Sequence, residues 1–199
     1  MKTLLVLGDS ISIQYEPYLK KAVEGHMDVL ARDGITTAQR DLDEAAGANM
    51  GDSKKLLEYI QSWRTQTASQ VDMLLFNCGL HDLRTDPLSH KKQVPLEQYR
   101  QNLIAIGNEL NEYSCTCVWI TTTPIVDELH NHTGMAFHRY HADVVSYNEI
   151  ATQVFKGIVT MVDLYQFTKP YGPDAFCDHA HFNEEIRALQ GAFIGGFVL

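Results

Sequence analysis

The sequence predicts an α/β fold, a three-layer α/β/α sandwich built on a five-stranded, mostly parallel sheet. Two features of the pattern carry that expectation. Five short apolar runs lack polar alternation, as strands covered on both faces do. Between and after them, apolar residues recur at spacings of three and four, the mark of helices with one buried face. Strands alternating with helices build parallel sheets.

In chain order, the first strand is expected over Thr3–Leu7; it stops at Gly8-Asp9-Ser10, where a helix follows. The second is expected over Met27–Ala31. A helix begins at Asp52-Ser53, a suitable N-cap, and carries Leu56, Leu57, Ile60 and Trp63 on one side. The third strand, expected over Met73–Cys78, precedes a helix marked by Tyr99, Leu103, Ile106, Leu110 and Tyr113. The fourth, expected over Val118–Thr122, precedes one marked by Tyr140, Val144, Tyr147, Ala151 and Val154. The fifth is expected over Ile158–Val162. A last helix starts at Asn183 with Ile186, Leu189, Phe193 and Phe197; its Gly191, Gly195 and Gly196 lower its propensity, so tight packing must hold it. The longer irregular stretches, 32–51, 79–94, 123–135 and 165–182, each follow a strand, the end at which open parallel sheets bind ligands.

At 199 residues, with 45% hydrophobic and 21% charged residues, the chain has the composition of one globular domain spanning residues 1–199. Its 25 acidic residues exceed its 16 lysines and arginines, for a net charge of −9. Such a surface repels phosphate backbones and anionic headgroups, so neither nucleic acid nor membrane is expected as a partner. Nothing approaches the ~20 apolar residues of a membrane span. Met1-Lys2 leads straight into the first strand without a signal-like cleavage site, and Cys78, Cys115, Cys117 and Cys177 are too irregular for a disulfide framework. A reduced, cytoplasmic protein with buried free thiols is the expectation. In Cys115-Thr116-Cys117, strand geometry points both thiols to one face.

The reactive residues fall in the loops. Ser10 follows the first strand at once, where a hydroxyl projects from the sheet edge and helix N–H groups can face a developing oxyanion. After the last strand comes Asp178-His179-Ala180-His181. A carboxylate three residues before an imidazole can reach its Nδ1–H and leave Nε2 to take a proton from serine. His179 competes with His181, but Asp178 is adjacent to it rather than spaced to clamp its ring.

On Gly8-Asp9-Ser10 and Asp178-x-x-His181 together, the chain resembles the SGNH (GDSL-type) hydrolases, over nearly its whole length. That resemblance implies a flavodoxin-like parallel sheet and a serine esterase or acyl hydrolase with a Ser10, Asp178, His181 triad and no cofactor. It implies an oxyanion hole from the Ser10 N–H, a second-block glycine matched by Gly51, with Gly47 as the alternative, and a third-block Asn. Here the third block departs: Gly79-Leu80-His81-Asp82 puts His81 where the family has Asn. Imidazole is a donor too, so His81 is expected to take that place; otherwise it merely packs. Asp9 and Asp82 are expected to bond backbone N–H groups around the turns.

His130-Asn131-His132 and His138-Arg139-Tyr140-His141 have spacings that suit zinc, yet no Cys or Glu cluster completes a tetrahedral set, so no metal is expected. His130, His132 and Arg84 are candidates for lining a substrate cleft, with Arg139 as a further candidate for an anionic group; plain surface positions are the alternative. The P-loop, dinucleotide and Gly-x-Ser-x-Gly motifs are absent. The expected substrate is a small-molecule or carbohydrate ester carrying a small acyl group. A lipid or thioester acyl hydrolase, and a catalytically silent binding module of the same fold, are the alternatives.

Overall fold

The protein, seen in a computed structural model, is described over residues 1–45, 47–66, 71–132 and 134–199. Five parallel strands form one sheet in the order β2-β1-β3-β4-β5: β1 Lys2–Leu7, β2 Met27–Val29, β3 Met73–Phe76, β4 Thr116–Ile120 and β5 Thr160–Val162. The order reverses at β1, so the chain's first loop opens at the crevice where such sheets hold ligands. Apolar side chains cover β1 on both faces because helices flank both. α1 (Ser10–Ala22) and α8 (Glu184–Val198) pack together, and α3 (Ser53–Gln66), α4 (Leu96–Leu110) and α6 (His141–Phe155) pack in series.

The core joins both faces of the sheet. Leu4, Val6, Leu7, Leu74, Leu75 and Trp119 are all fully buried. Phe76 meets both Trp119 and Phe155 of α6 edge to face, and Phe155 tilts against Trp119. Ile13 of α1 lies outside this cluster and packs with Ile35, Ala38, Ala45 and Ala48 in a smaller one.

The structure differs from the sequence expectation in its loops. α2 (Ile35–Arg40), α5 (Asp127–His130) and α7 (Leu164–Thr168) are short helices inside stretches expected to be irregular. β3 ends two residues early because Asn77 turns its side chain into the sheet edge: its N–H still donates to Leu7 O at 2.9 Å, and its Nδ2 donates to Ile120 O at 2.7 Å. Cys78 and Cys117 are buried, but Cys115 is half-buried and Cys177 exposed, which corrects the expectation of uniformly buried thiols. Cys115 and Cys117 do share a face, with their sulfurs 3.7 Å apart. Among the described residues, no helix is long and apolar enough to cross a membrane.

The seam between α1 and α8 explains the glycines of the last helix. A Cβ on Gly191 would lie 2.6 Å from the Leu19 nitrogen and 2.9 Å from Tyr15 O, and one on Gly195 would lie 2.6 Å from the Ala22 Cβ. These are backbone-scale clashes, so the two helices approach only because the side chains are missing. A Cβ on Gly196 meets nothing within 4 Å. Gly191→Ala is therefore expected to lose about 1–3 kcal/mol through overpacking, while Gly196→Ala gains up to ~1 kcal/mol from helix propensity. Urea unfolding of the two variants checks the contrast; equal effects would contradict this seam.

Candidate active site

Three loops meet at the C-terminal edge of the sheet, each held by backbone geometry. Asp9 is the N-cap of α1, its Oδ1 accepting from the Ile11 N–H at 3.0 Å, which leaves the side chain of Ser10 at the open rim of the helix. Asp9 is 1% exposed, and burial raises its pKa against the opposing pull of the Ile11 N–H and the Arg139 charge. The Met50 N–H donates to Gly8 O at 2.9 Å and so brings Gly51 beside the Ser10 turn. At the far end of the chain, an antiparallel bridge between Phe176 and Phe182 closes the turn that carries Asp178 and His181.

That turn delivers its imidazole to the serine. His181 Nε2 lies 2.9 Å from Ser10 Oγ, and His181 Nδ1 lies 2.7 Å from Asp178 Oδ2. The neutral tautomer protonated at Nδ1 satisfies both contacts: Nδ1–H donates to the carboxylate, and Nε2 accepts from the hydroxyl. Asp178 Oδ1 accepts from the Ala180 and His181 N–H groups at 2.8 and 2.7 Å. Partial burial pushes the Asp178 carboxyl up, but these bonds and the His181 ring outweigh it and hold its pKa below the usual range. A carboxylate so held orients the ring, and a ring so oriented can take the serine proton. His179 points elsewhere, its ring meeting His130 edge to face at 4.8 Å.

Gly51 and His81 stand side by side. Gly51 adopts φ +63°, a left-handed conformation that favours glycine, and a Cβ there would lie 4.0 Å from His81 Nδ1. Gly47, the alternative from the sequence, abuts Asp33 O instead. One feature departs from expectation: the Gly51 N–H already donates to Asn49 Oδ1 at 2.8 Å. Gly79 lets the loop carrying His81 lie close against Thr122, since a Cβ there would sit 2.3 Å from Thr122 Oγ1. Burial, then the charges of Arg84 and Arg139, depress the His81 pKa to about 3. The ring is neutral at ordinary pH and offers one N–H.

The residue after His81 fixes the second loop to the third. Buried Asp82 accepts from the Ser53 N–H through both oxygens at 2.9 and 3.0 Å, anchoring the start of α3 just past Gly51. The Ser53 hydroxyl also bonds Asp82 and accepts from Asn102 Nδ2 at 2.8 Å. Burial raises the Asp82 pKa to about 7. Sequence reasoning placed Asp82 in a turn but gave no sign that its partner would be 29 residues away.

Of the cleft candidates, Arg84 is half-buried near His81, while His130 must be corrected. His130 is fully buried, its Nδ1 meeting Asn131 Oδ1 at 3.2 Å and its Nε2 meeting Arg139 Nη1 at 2.9 Å, so it props Arg139 from inside. Burial and the Arg139 charge keep its pKa low, at about 4, as an acceptor of that N–H requires. His132 is exposed on the loop beyond. Among the described residues, no group of three or more His, Cys, Asp or Glu side chains could hold a metal.

No family model matches this sequence, and no curated protein matches it. Solved structures do match its fold. An acetyl xylan esterase, AlAXEase, superposes with a TM-score of 0.71 at 13% identity, covering 99% of this chain and 100% of that one. The arrangement of strands and helices is the one these esterases share. Axe2, an acetylxylan esterase from Geobacillus stearothermophilus, gives a TM-score of 0.67 at 16% identity over 97% of this chain and 92% of its own. An aryl esterase of M. smegmatis gives 0.68 at 11% identity over 100% and 98%.

Removing the Asp82 carboxylate leaves the buried Ser53 N–H without its acceptor. Asp82→Ala is expected to cost about 1–3 kcal/mol of stability. Chemical denaturation measures it, and a loss below a few tenths of a kcal/mol would show that the anchor contributes nothing.

Proposed function

We propose that this protein is a serine esterase that removes a small acyl group, acetyl being the simplest, from a carbohydrate or other polar alcohol. The observation that carries the reading is the unbroken relay of Ser10 Oγ, His181 and Asp178 at 2.9 and 2.7 Å. The shared fold with acetyl xylan esterases supports it.

In the first half-reaction, Ser10 Oγ attacks the ester carbonyl carbon as His181 Nε2 takes the hydroxyl proton. Asp178 holds the ring and offsets its new positive charge. The tetrahedral oxyanion is received by the N–H of Ser10, an unpaired group of the first helical turn, and by the His81 ring. The Gly51 N–H joins them by exchanging Asn49 Oδ1 for the stronger acceptor. The intermediate collapses, the C–O bond to the alcohol breaks, and His181 protonates the departing oxygen. Water then enters, loses a proton to His181 and attacks the acyl carbon; collapse returns the proton to Ser10 Oγ and frees the carboxylic acid.

A neutral His81 makes this account specific. His81→Ala should lower kcat by about 10²–10³, the usual loss for an oxyanion donor. His81→Asn should keep most of the rate, and its pH–rate profile between about pH 5 and 9 should have the wild-type shape, because a ring neutral at these pH values adds no ionisation. A His81→Ala enzyme with near-normal kcat would remove His81 from the oxyanion hole. For substrate class, p-nitrophenyl esters of increasing chain length should peak at the two-carbon acyl group; a peak at eight carbons or more would favour a lipid acyl hydrolase.

A further inference from the structure

Two arginines, Arg84 and Arg139, stand beside the site described above on a protein whose net charge is −9. An antiparallel bridge between Thr85 and His138 lays the two loops carrying Arg84 and Arg139 side by side. Both guanidiniums lie over Phe137, the Arg84 and Arg139 carbons 4.4 and 4.8 Å from its ring centroid. Arg139 is consumed by structure: it is 4% exposed, its Nε donates to Leu80 O at 2.6 Å, and its Nη1 meets His130. Asn131 ties down its backbone, accepting from the Arg139 N–H at 2.9 Å and donating to Arg139 O at 2.6 Å.

Arg84 is different. Its Nε is buried with no hydrogen-bond partner, and among the described residues neither arginine forms an ion pair with a carboxylate. Half-burial lowers its pKa against the opposing pull of the Asp9 and Asp52 carboxylates, neither of which reaches it as an ion pair, so the molecule keeps a partly desolvated guanidinium here. The Arg84 N–H donates to His81 O at 3.3 Å, so both residues belong to one tight turn, and the Arg84 charge helps keep the His81 ring neutral. Lys55 adds a third positive charge to the same ring's surroundings. A guanidinium stacked on an aromatic face beside a reaction centre, with donors unspent, is built to take a planar anion through paired N–H bonds.

We propose that Arg84 binds a carboxylate on the substrate, so that the enzyme prefers esters whose alcohol carries that group, an acetylated acidic sugar being the natural class. The inference rests on the esterase reading above: an acetyl group carries no charge, so the anion belongs to the alcohol. Phe137 fixes the plane of the guanidinium, and Arg139, locked by Leu80 and His130, positions Phe137. The Arg84 charge gives an anionic substrate one point of attraction on a protein whose net charge is −9.

The test compares two acetyl esters of matched shape, 4-acetoxybenzoate and its uncharged counterpart 4-acetoxybenzamide, corrected for spontaneous hydrolysis. Wild type should favour the carboxylate in kcat/KM by about tenfold or more, the worth of one charge-assisted pair, and the preference should shrink as salt rises. Arg84→Gln should bring the ratio near one, and Arg84→Lys should keep part of it, having charge without the planar fork. A wild-type ratio at or below one overturns the carboxylate site, as does a ratio unchanged in Arg84→Gln; with the benzamide ester still hydrolysed, either result leaves the esterase reading standing. If wild type hydrolyses neither ester, the esterase reading falls and takes this site with it.

Discussion

The contact of His181 Nε2 with Ser10 Oγ joins groups 171 residues apart, at 2.9 Å, and much of the fold exists in the form that makes it possible. One partner follows the interior strand β1; the other sits on the turn leading into α8. Their meeting requires α1 and α8 to lie in close contact, because each helix begins at one of the two loops. The side-chain-free faces of Gly191 and Gly195 allow that approach. A looser seam would move the imidazole relative to the hydroxyl, and hydrogen bonding weakens steeply with such displacement.

Charge is arranged around this contact with the same economy. Asp178 is kept ionised by two backbone N–H groups as well as by His181, so the ring's orientation does not rest on one bond. His81 and His130 are kept neutral by burial and by the arginines beside them; the His130 lone pair supports Arg139, while the His81 N–H is the one the proposed reaction uses. Loops that seem merely polar in sequence thus divide into a reacting set and a supporting set.

Much of this was legible in the sequence. The five strands came from unbroken apolar runs, and the last helix from the apolar spacing after Asn183, which proves to be its cap, its Oδ1 accepting from the Ile186 N–H. Gly8-Asp9-Ser10 and Asp178-x-x-His181 were visible because their chemistry lies within a few residues. What stayed hidden depends on pairs distant in sequence. The extent of α1 was obscured by Pro17, which sits inside the helix, and by its inward faces meeting two different clusters. The hold of Asp82 on Ser53, the Phe137 stack and the inward turn of His130 have no local signal, since each arises only when two loops are laid together. His130 misled because a histidine followed by Asn131 and His132 reads as part of a polar loop until Arg139 folds over it.

The relay from Asp178 through His181 to Ser10 is tested most directly by an activated alkylphosphonate, which captures only a serine whose proton is being removed. Mass mapping of the treated protein should find one phosphonyl adduct, on the peptide containing Ser10, and none after His181→Ala. A wild-type protein that stays unlabelled, or an adduct on any other residue, would contradict the account.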